Sequence, residues 1–408
     1  MDESVRLRQA TAADFDATVD LLGYVFHHDY DDEARTLERT IWEPERSIVA
    51  DDAGAIVGHT LALTRDLTVP GAVVPAAHVT GVGVAPSHRR RGLLRAMMHR
   101  QLTETAEAGR EPIAVLWASE TTIYPRFGYG PSAGSMSLSA MTRELRIRPD
   151  APGADLRLRL VDPKKAQDEL AAIYDTVRAG RVGWSSRPRG WWDFLLADLK
   201  DNRGGATMRH GVICDGPDGR PAGYATWRVK GKWDEYGPDA QVRVTEVAAD
   251  DPAVYAALWR FLFGIDLARS LEYDTAAVDE PLYLLVDEPR RLGRKYEEAL
   301  WVRVLDLPSA LEARRYLTPV DVVLEVSDPL LPANEGRWRL TGGRDKAACV
   351  RTDEPADLAL SITDLGALYL GGTSLGSLIA AGRVKPLTGN IPEAAFGWHR
   401  LPNPIEVF

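Results

Sequence analysis

A mixed β-sheet flanked by helices, present twice in tandem and followed by a smaller α+β domain, is the architecture this sequence predicts. Three observations predict it. The first 150 residues alternate strand and helix signals. The strand–turn–helix outline of residues 79–102, VTGVGVAPSHRRRGLLRAMMHRQL, returns in altered form at residues 242–265, VRVTEVAADDPAVYAALWRFLFGI. Beyond about residue 300, short apolar runs come at regular spacing and a helical run follows them.

The elements follow in order. Thr11 with Asp14 three residues on resembles a capping box, and Val19, Leu22, Val25 and Phe26 fall at helical spacing behind it. Residues 47–49 and 56–63 read as strands across the turn DDAG, and residues 78–84 as a third. Leu94, Met97, Met98 and Leu102 line one face of a helix. PIAVLW, residues 112–117, is continuously apolar, as a buried strand is.

The Pro/Gly-rich stretch RPDAPGADLRLRL, residues 148–160, marks a boundary near residue 150. Residues 165–200 read as helical around Trp191 and Trp192, and strands follow at 209–214 and 221–229. In the returning outline the arginines and glycine are missing and Asp250 and Asp251 stand in the turn. We therefore expect two copies of one domain type, of which only the first keeps the charged turn. VVLEVSD, RWRLTGG, AACVRTD and LALSITD read as strands, and LGALYLGGTSLGSLIAAGRV as helix. The expected domains are 1–150, 151–298 and 299–408.

Composition excludes several classes. With 45% hydrophobic and 26% charged residues, the chain is an ordinary globular protein with material for more than one core. The N-terminal MDESVRLRQATAADFD has no apolar run behind a basic start, so no signal peptide is expected. No apolar run approaches bilayer length. Cys214 and Cys349, the two cysteines, give neither a disulfide framework nor a zinc spacing, so no metal is expected and a reducing cytoplasm is the expected location. The net charge of -10 argues against nucleic acid and suits a cationic small substrate.

Against that acidic background, Arg89, Arg90, Arg91 and Gly92 stand where a strand turns into a helix. A helix N-terminus presents unpaired N–H groups and partial positive charge, so cations there oppose the dipole. A bound pyrophosphate offsets both, and a glycine lets the backbone approach it. A solvated basic turn is the competing account.

The pattern strand, R-x-x-G, amphipathic helix resembles motif A of the GNAT superfamily of N-acetyltransferases. Here it reads Arg89-Arg90-Arg91-Gly92-Leu93-Leu94, with leucine where the family places a small residue. VAPSHRRRGLLRAM and IYPRFGYGPSA resemble the Eis (enhanced intracellular survival) group within it, and so does the layout over essentially all 408 residues. That resemblance implies an active GNAT domain, a second GNAT-like domain without the cofactor turn, and a sterol-carrier-protein-like C-terminal domain, which LYLGG fits. It implies acetyl-CoA as donor and a homohexamer.

The resemblance also implies roles. Val82 and Val84 would hold pantetheine through their backbones, and Arg89, Arg90, Arg91, Gly92 and Leu93 the pyrophosphate. Ser119 matches a further cofactor contact. Tyr124 matches the general acid that protonates the departing thiolate, with Tyr129 the competing tyrosine. The carboxylate of Phe408 matches the general base. Phe26, Asp29 and Glu406 are the candidate lining for a polycationic amine, and His27 or His28 stands where the family carries an acid. The Eis group acetylates aminoglycosides, an antibiotic-resistance activity, and some lysine side chains. The alternatives are a protein lysine or polyamine acetyltransferase and, in another class, a non-catalytic acyl-CoA or lipid-binding protein.

Overall fold

The computed structural model describes residues 5–408. In the first part of the chain β1 (Val5–Gln9) leads to α1 (Phe15–Phe26) and α2 (Asp32–Ile41). Then come β2 (Ser47–Asp52), β3 (Ala55–Val69), β4 (Ala72–Val84), α3 (Leu93–Ala108), β5 (Ile113–Trp117), β6 (Gly130–Pro131) and β7 (Gly134–Met141). The capping box forms: the Thr11 amide and hydroxyl both donate to Asp14 Oδ2, at 2.7 and 2.8 Å.

The middle of the chain contains β8 (Leu158–Val161), α4 (Gln167–Arg178), α5 (Arg189–Leu196), β9 (His210–Asp215) and β10 (Pro221–Lys230). The hairpin β11 (Trp233–Asp234) and β12 (Gly237–Pro238) precedes β13 (Ala240–Ala249), α6 (Pro252–Phe263), β14 (Ala268–Ala276), α7 (Leu282–Leu285) and β15 (Gly293–Glu298). The last part runs β16 (Leu300–Val304), α8 (Leu307–Ala313), β17 (Val320–Ser327), β18 (Gly336–Gly342) and β19 (Ala347–Arg351). It ends with β20 (Leu358–Ser361), α9 (Ile362–Leu368), α10 (Leu375–Ala380) and β21 (Lys385–Pro386). The helical run expected after β20 is two helices, because Gly371 takes a φ of +84° between them.

The repeat is real at the level of topology. One seven-stranded sheet has the order β1-β2-β3-β4-β5-β16-β6, and the other, read from its opposite end, β8-β9-β10-β13-β14-β7-β15. In each, an antiparallel run of four strands meets a fifth in parallel, β4 with β5 and β13 with β14. The last two places are exchanged. β7 pairs with β14 and β15, and β16 pairs with β5 and β6.

By contacts the chain forms two compact units, Met1–Ala133 with Ala299–Leu401 and Val407–Phe408, and Gly134–Glu298 with Pro402–Glu406. The first crossing thus falls before the Pro/Gly-rich stretch near residue 150, because β7 belongs to the second sheet.

Within the first unit the third sheet, β19-β18-β17-β20-β21, is tied to the first. Arg303 of β16 donates two 2.8 Å bonds to Asp328, both fully buried. Arg314, also fully buried, donates to the carbonyls of Leu368, Tyr369 and Phe396. A buried charge survives where it is paired or hydrogen-bonded: the Asp328 carboxylate meets the Arg303 charge, and the three carbonyls meet Arg314. Among the described residues no helix is long and apolar enough to cross a membrane, and no cluster of His, Cys, Asp or Glu is arranged to hold a metal ion. Cys214 and Cys349 are both free and buried.

Candidate active site

The first sheet opens into a fork. β4 pairs in parallel with β5 through Ala76↔Ile113, Ala77↔Ala114 and His78↔Val115, and the pairing stops there. β4 nevertheless runs six residues further, to Val84, held by β3 on its other side. Over that stretch one edge of β4 carries backbone donors and acceptors without a strand partner, which is a template for an extended ligand. Val82 and Val84, both half-buried, lie on this stretch.

The fork begins where β4 carries a bulge. His59 pairs with Gly83 and Leu61 with Thr80, so one residue of β3 faces two of β4, Gly81 and Val82. Gly81 takes a φ of +59° there.

Beyond Val84 the chain turns into α3. Arg89, Arg90, Arg91 and Gly92 are exposed, and Arg90 and Gly92 have φ of +63° and +82°. Nothing lies within 4 Å of the place where a Cβ on Gly92 would stand. No side chain caps α3, and its first turn holds no acid. At the start of α6, by contrast, Asp251 accepts from the amides of Ala253 and Val254 at 2.8 and 3.1 Å. The second copy thus closes its helix N-terminus with its own carboxylate, where the first leaves the amides open beside three cations. Leu93 fills the core below with Met97, Val5 and Ile48, so only its backbone is available to an anion.

Tyr124 opens a 3-10 turn, Tyr124–Phe127, after β5 and is 5% exposed. It packs in one cluster with Val79, Leu116, Phe127 and Tyr129, with Val82 against it. Burial raises its phenol above the ordinary value, while the hydrogen bond with Ser119 and the charge of Glu120 act in opposite directions on it. Tyr124 therefore keeps its proton at neutral pH, and Ser119, expected as a cofactor contact, hydrogen-bonds it. Tyr129 is fully buried, 6.1 Å away ring to ring, and burial pushes its phenol higher still.

Phe408 lies in the same unit, its ring 4.7 Å from that of His78 and tilted 61° to it. Successive residues of a strand face opposite sides. Val79 joins the cluster of Tyr124, and His78 meets Phe408, so the two residues approach the mouth of the fork from opposite faces of the sheet. His78 and His59 were not among the sequence candidates. The signal was there: each is a lone imidazole within an apolar strand, VGHTLAL and AAHVTGV.

The expected substrate residues divide. Phe26 ends α1, 47% exposed, with exposed Asp29 just beyond the left-handed cap at His27. Their helix reaches the fork through Val25, whose methyls lie 3.2 Å from where a Cβ on Gly83 would stand. His28 stacks edge-on against Tyr30 at 4.7 Å. Glu406 is counted with the second unit, where Arg187 donates to its Oε2 at 2.5 Å. Arg187 also donates to both oxygens of Glu246, at 3.0 and 2.6 Å.

Residues 6–132 and 183–304 each match an acetyltransferase (GNAT) domain family, and residues 307–402 a sterol carrier protein domain family. The chain is 37% identical over 370 residues to the N-acetyltransferase Eis of Mycobacterium tuberculosis, covering 86% of each. An uncharacterised N-acetyltransferase of Streptomyces avermitilis is 46% identical over 364 residues, 89% of this chain and 88% of that one. Among solved structures, Eis1 from Mycobacterium abscessus superposes with a TM-score of 0.85 at 30% identity, over 99% of this chain and 100% of that one. A GCN5-related N-acetyltransferase from Anabaena variabilis shares the fold, at a TM-score of 0.85 and 21% identity.

Proposed function

The chain belongs to the Eis family of GNAT N-acetyltransferases, and from that premise we propose that it transfers acetyl from acetyl-CoA to amines of polycationic, aminoglycoside-like small molecules, at one or several positions. The observation that carries the reading is the fork between β4 and β5, with Tyr124 and Phe408 reaching its mouth from opposite faces.

The residues present suit acetyl-CoA. The uncapped start of α3, with Arg89, Arg90, Arg91 and the open space over Gly92, suits a diphosphate. The unpaired edge of β4 at Val82 and Val84 suits the amides of pantetheine. The bound thioester supplies the activated acyl group.

The amine nitrogen attacks the thioester carbonyl, the C–N bond forms and the C–S bond breaks. Tyr124 Oη gives its proton to the departing thiolate, and the phenol regains one from solvent. The proton lost by the amine passes to the carboxylate of Phe408, directly or through water. A terminal carboxylate with a pKa near 3.5 is a weak base, so it acts as the bond forms and the nitrogen becomes acidic. Acid and base on opposite faces keep the incoming amine apart from the leaving sulfur.

Phe26 and Asp29 supply an apolar wall and a carboxylate for the cationic acceptor, while the Glu406 carboxylate is already held by Arg187. The assembly is a homohexamer in the cytoplasm.

The test supplies purified protein with acetyl-CoA and a panel of aminoglycosides, polyamines and lysine peptides, and follows thiol release. Turnover on aminoglycosides supports the reading. Turnover confined to lysine peptides or to polyamines moves the acceptor to that class. Saturable CoA binding without turnover on any acceptor overturns the catalytic assignment. Arg89→Ala with Arg90→Ala raises KM for acetyl-CoA and leaves KM for the acceptor unchanged.

A further inference from the structure

A buried imidazole is an expensive way to fill a strand. His59 is 1% exposed, and its Nε2 is buried without a hydrogen-bond partner. Leaving a buried polar atom unmet costs stability, so a residue kept in such a place is kept for what its other atom does. That atom is Nδ1, 2.8 Å from the carbonyl oxygen of Gly81. A carbonyl can only accept, so Nδ1 carries the hydrogen and donates.

Gly81 is one of the two residues that form the bulge in β4. A bulge breaks the ladder locally and leaves a backbone group to be satisfied some other way. Here a side chain of the neighbouring strand does it. The two residues are matched in shape as well. A Cβ on Gly81 would stand 3.0 Å from His59 Nδ1, so the glycine both permits the positive φ and leaves room for the ring. The next residues along β4 are those on which the ligand reading rests.

We propose that His59 is a positioning residue for acyl-CoA binding: its Nδ1–H fastens the Gly81 carbonyl and so holds the bulge from which Val82 and Val84 are presented to the ligand. The inference rests on the reading of the fork as the acetyl-CoA site. His59 touches neither reacting atom and transfers no proton. Its contribution is to keep the unpaired edge of β4 in the shape that pantetheine meets.

Three variants separate this role from a merely structural one. The amide nitrogen of asparagine stands where Nδ1 of histidine does, whereas that of glutamine stands near Nε2. His59→Asn keeps the bond, and His59→Gln and His59→Leu lose it. The measurements are Kd for CoA by calorimetry, KM and kcat with acetyl-CoA, and Tm. We expect His59→Gln and His59→Leu to bind CoA about tenfold more weakly. KM for acetyl-CoA should rise in proportion, with kcat within about threefold, while His59→Asn stays within about threefold of wild type throughout.

Unchanged CoA affinity in His59→Gln and His59→Leu, with the wild type binding normally, overturns the proposal and leaves the acetyl-CoA reading standing. Equal loss in all three variants overturns it too, since the donor at the Nδ1 position would then be irrelevant. A fall in kcat alone in His59→Asn would assign the ring to proton transfer instead. Failure of the wild type itself to bind CoA overturns the functional reading and this inference together.

Discussion

Phe408 rests edge-on against His78, ring centroids 4.7 Å apart, and His78 is the last residue of β4 that pairs with β5. An aromatic ring in that geometry is held by more than its buried area. The contact ties the residue at position 408 to the point where the sheet opens, some 330 positions away in sequence by the numbering of the two residues. The Phe408 side chain is thereby kept within the neighbourhood of the fork.

Deleting Phe408, or fusing a tag after it, lowers kcat by about 10²-fold or more, with the circular dichroism spectrum and Tm close to wild type. Steady-state kinetics on the two proteins check this. Full turnover with a C-terminal tag removes Phe408 from the mechanism.

Tyr124→Phe keeps the ring in its cluster and removes only the hydroxyl. Loss of a general acid costs roughly 10²–10⁴-fold in kcat. Tyr129→Phe, whose hydroxyl has no hydrogen-bond partner in the buried interior, changes kcat by less than about tenfold. The reverse pattern reassigns the acid to Tyr129.

Burial lowers the His59 imidazole to about 4, against an ordinary value near 6.5. Between those two pH values the unfolded chain binds a proton that the folded chain refuses, so stability falls as pH falls through this window and is level above it. The shift is worth roughly 3 kcal/mol. Denaturant unfolding at neutral pH and near pH 4.5 should show His59→Asn losing less stability on acidification than wild type. His78, shifted in the same direction by its own burial and by Arg65, keeps a share of the acid sensitivity in both proteins. Parallel losses in wild type and variant contradict the assignment.

Arg187, its side chain 2% exposed, stands between Glu246 and Glu406 with its guanidinium 4.0 Å over the ring of Tyr174. Arg187→Met leaves two carboxylates buried without their cation and costs about 3–5 kcal/mol. Adding Glu246→Gln and Glu406→Gln removes the orphaned charges and recovers most of it. Urea midpoints of the single and triple variants measure this, and a single-variant cost below about 1 kcal/mol shows the cluster to be hydrated.

Local chemistry made much of this protein readable from one sequence. A capping box at Thr11 and Asp14, the continuously apolar run of β5 and a glycine behind three arginines are short-range signals, and each is where those signals put it. The repeat was readable for the same reason, since both copies keep the outline of strand, turn and helix. What only the tertiary structure decided involves partners far apart in the chain. The exchange of β7 and β16 depends on which sheet edges meet, and every strand offers the same backbone donors and acceptors to any neighbour. The same holds for His59 with Gly81, Phe408 with His78 and Arg187 with Glu406. A histidine in an apolar strand announces that it needs a partner, but the partner's identity is set by register and packing, which no local pattern contains.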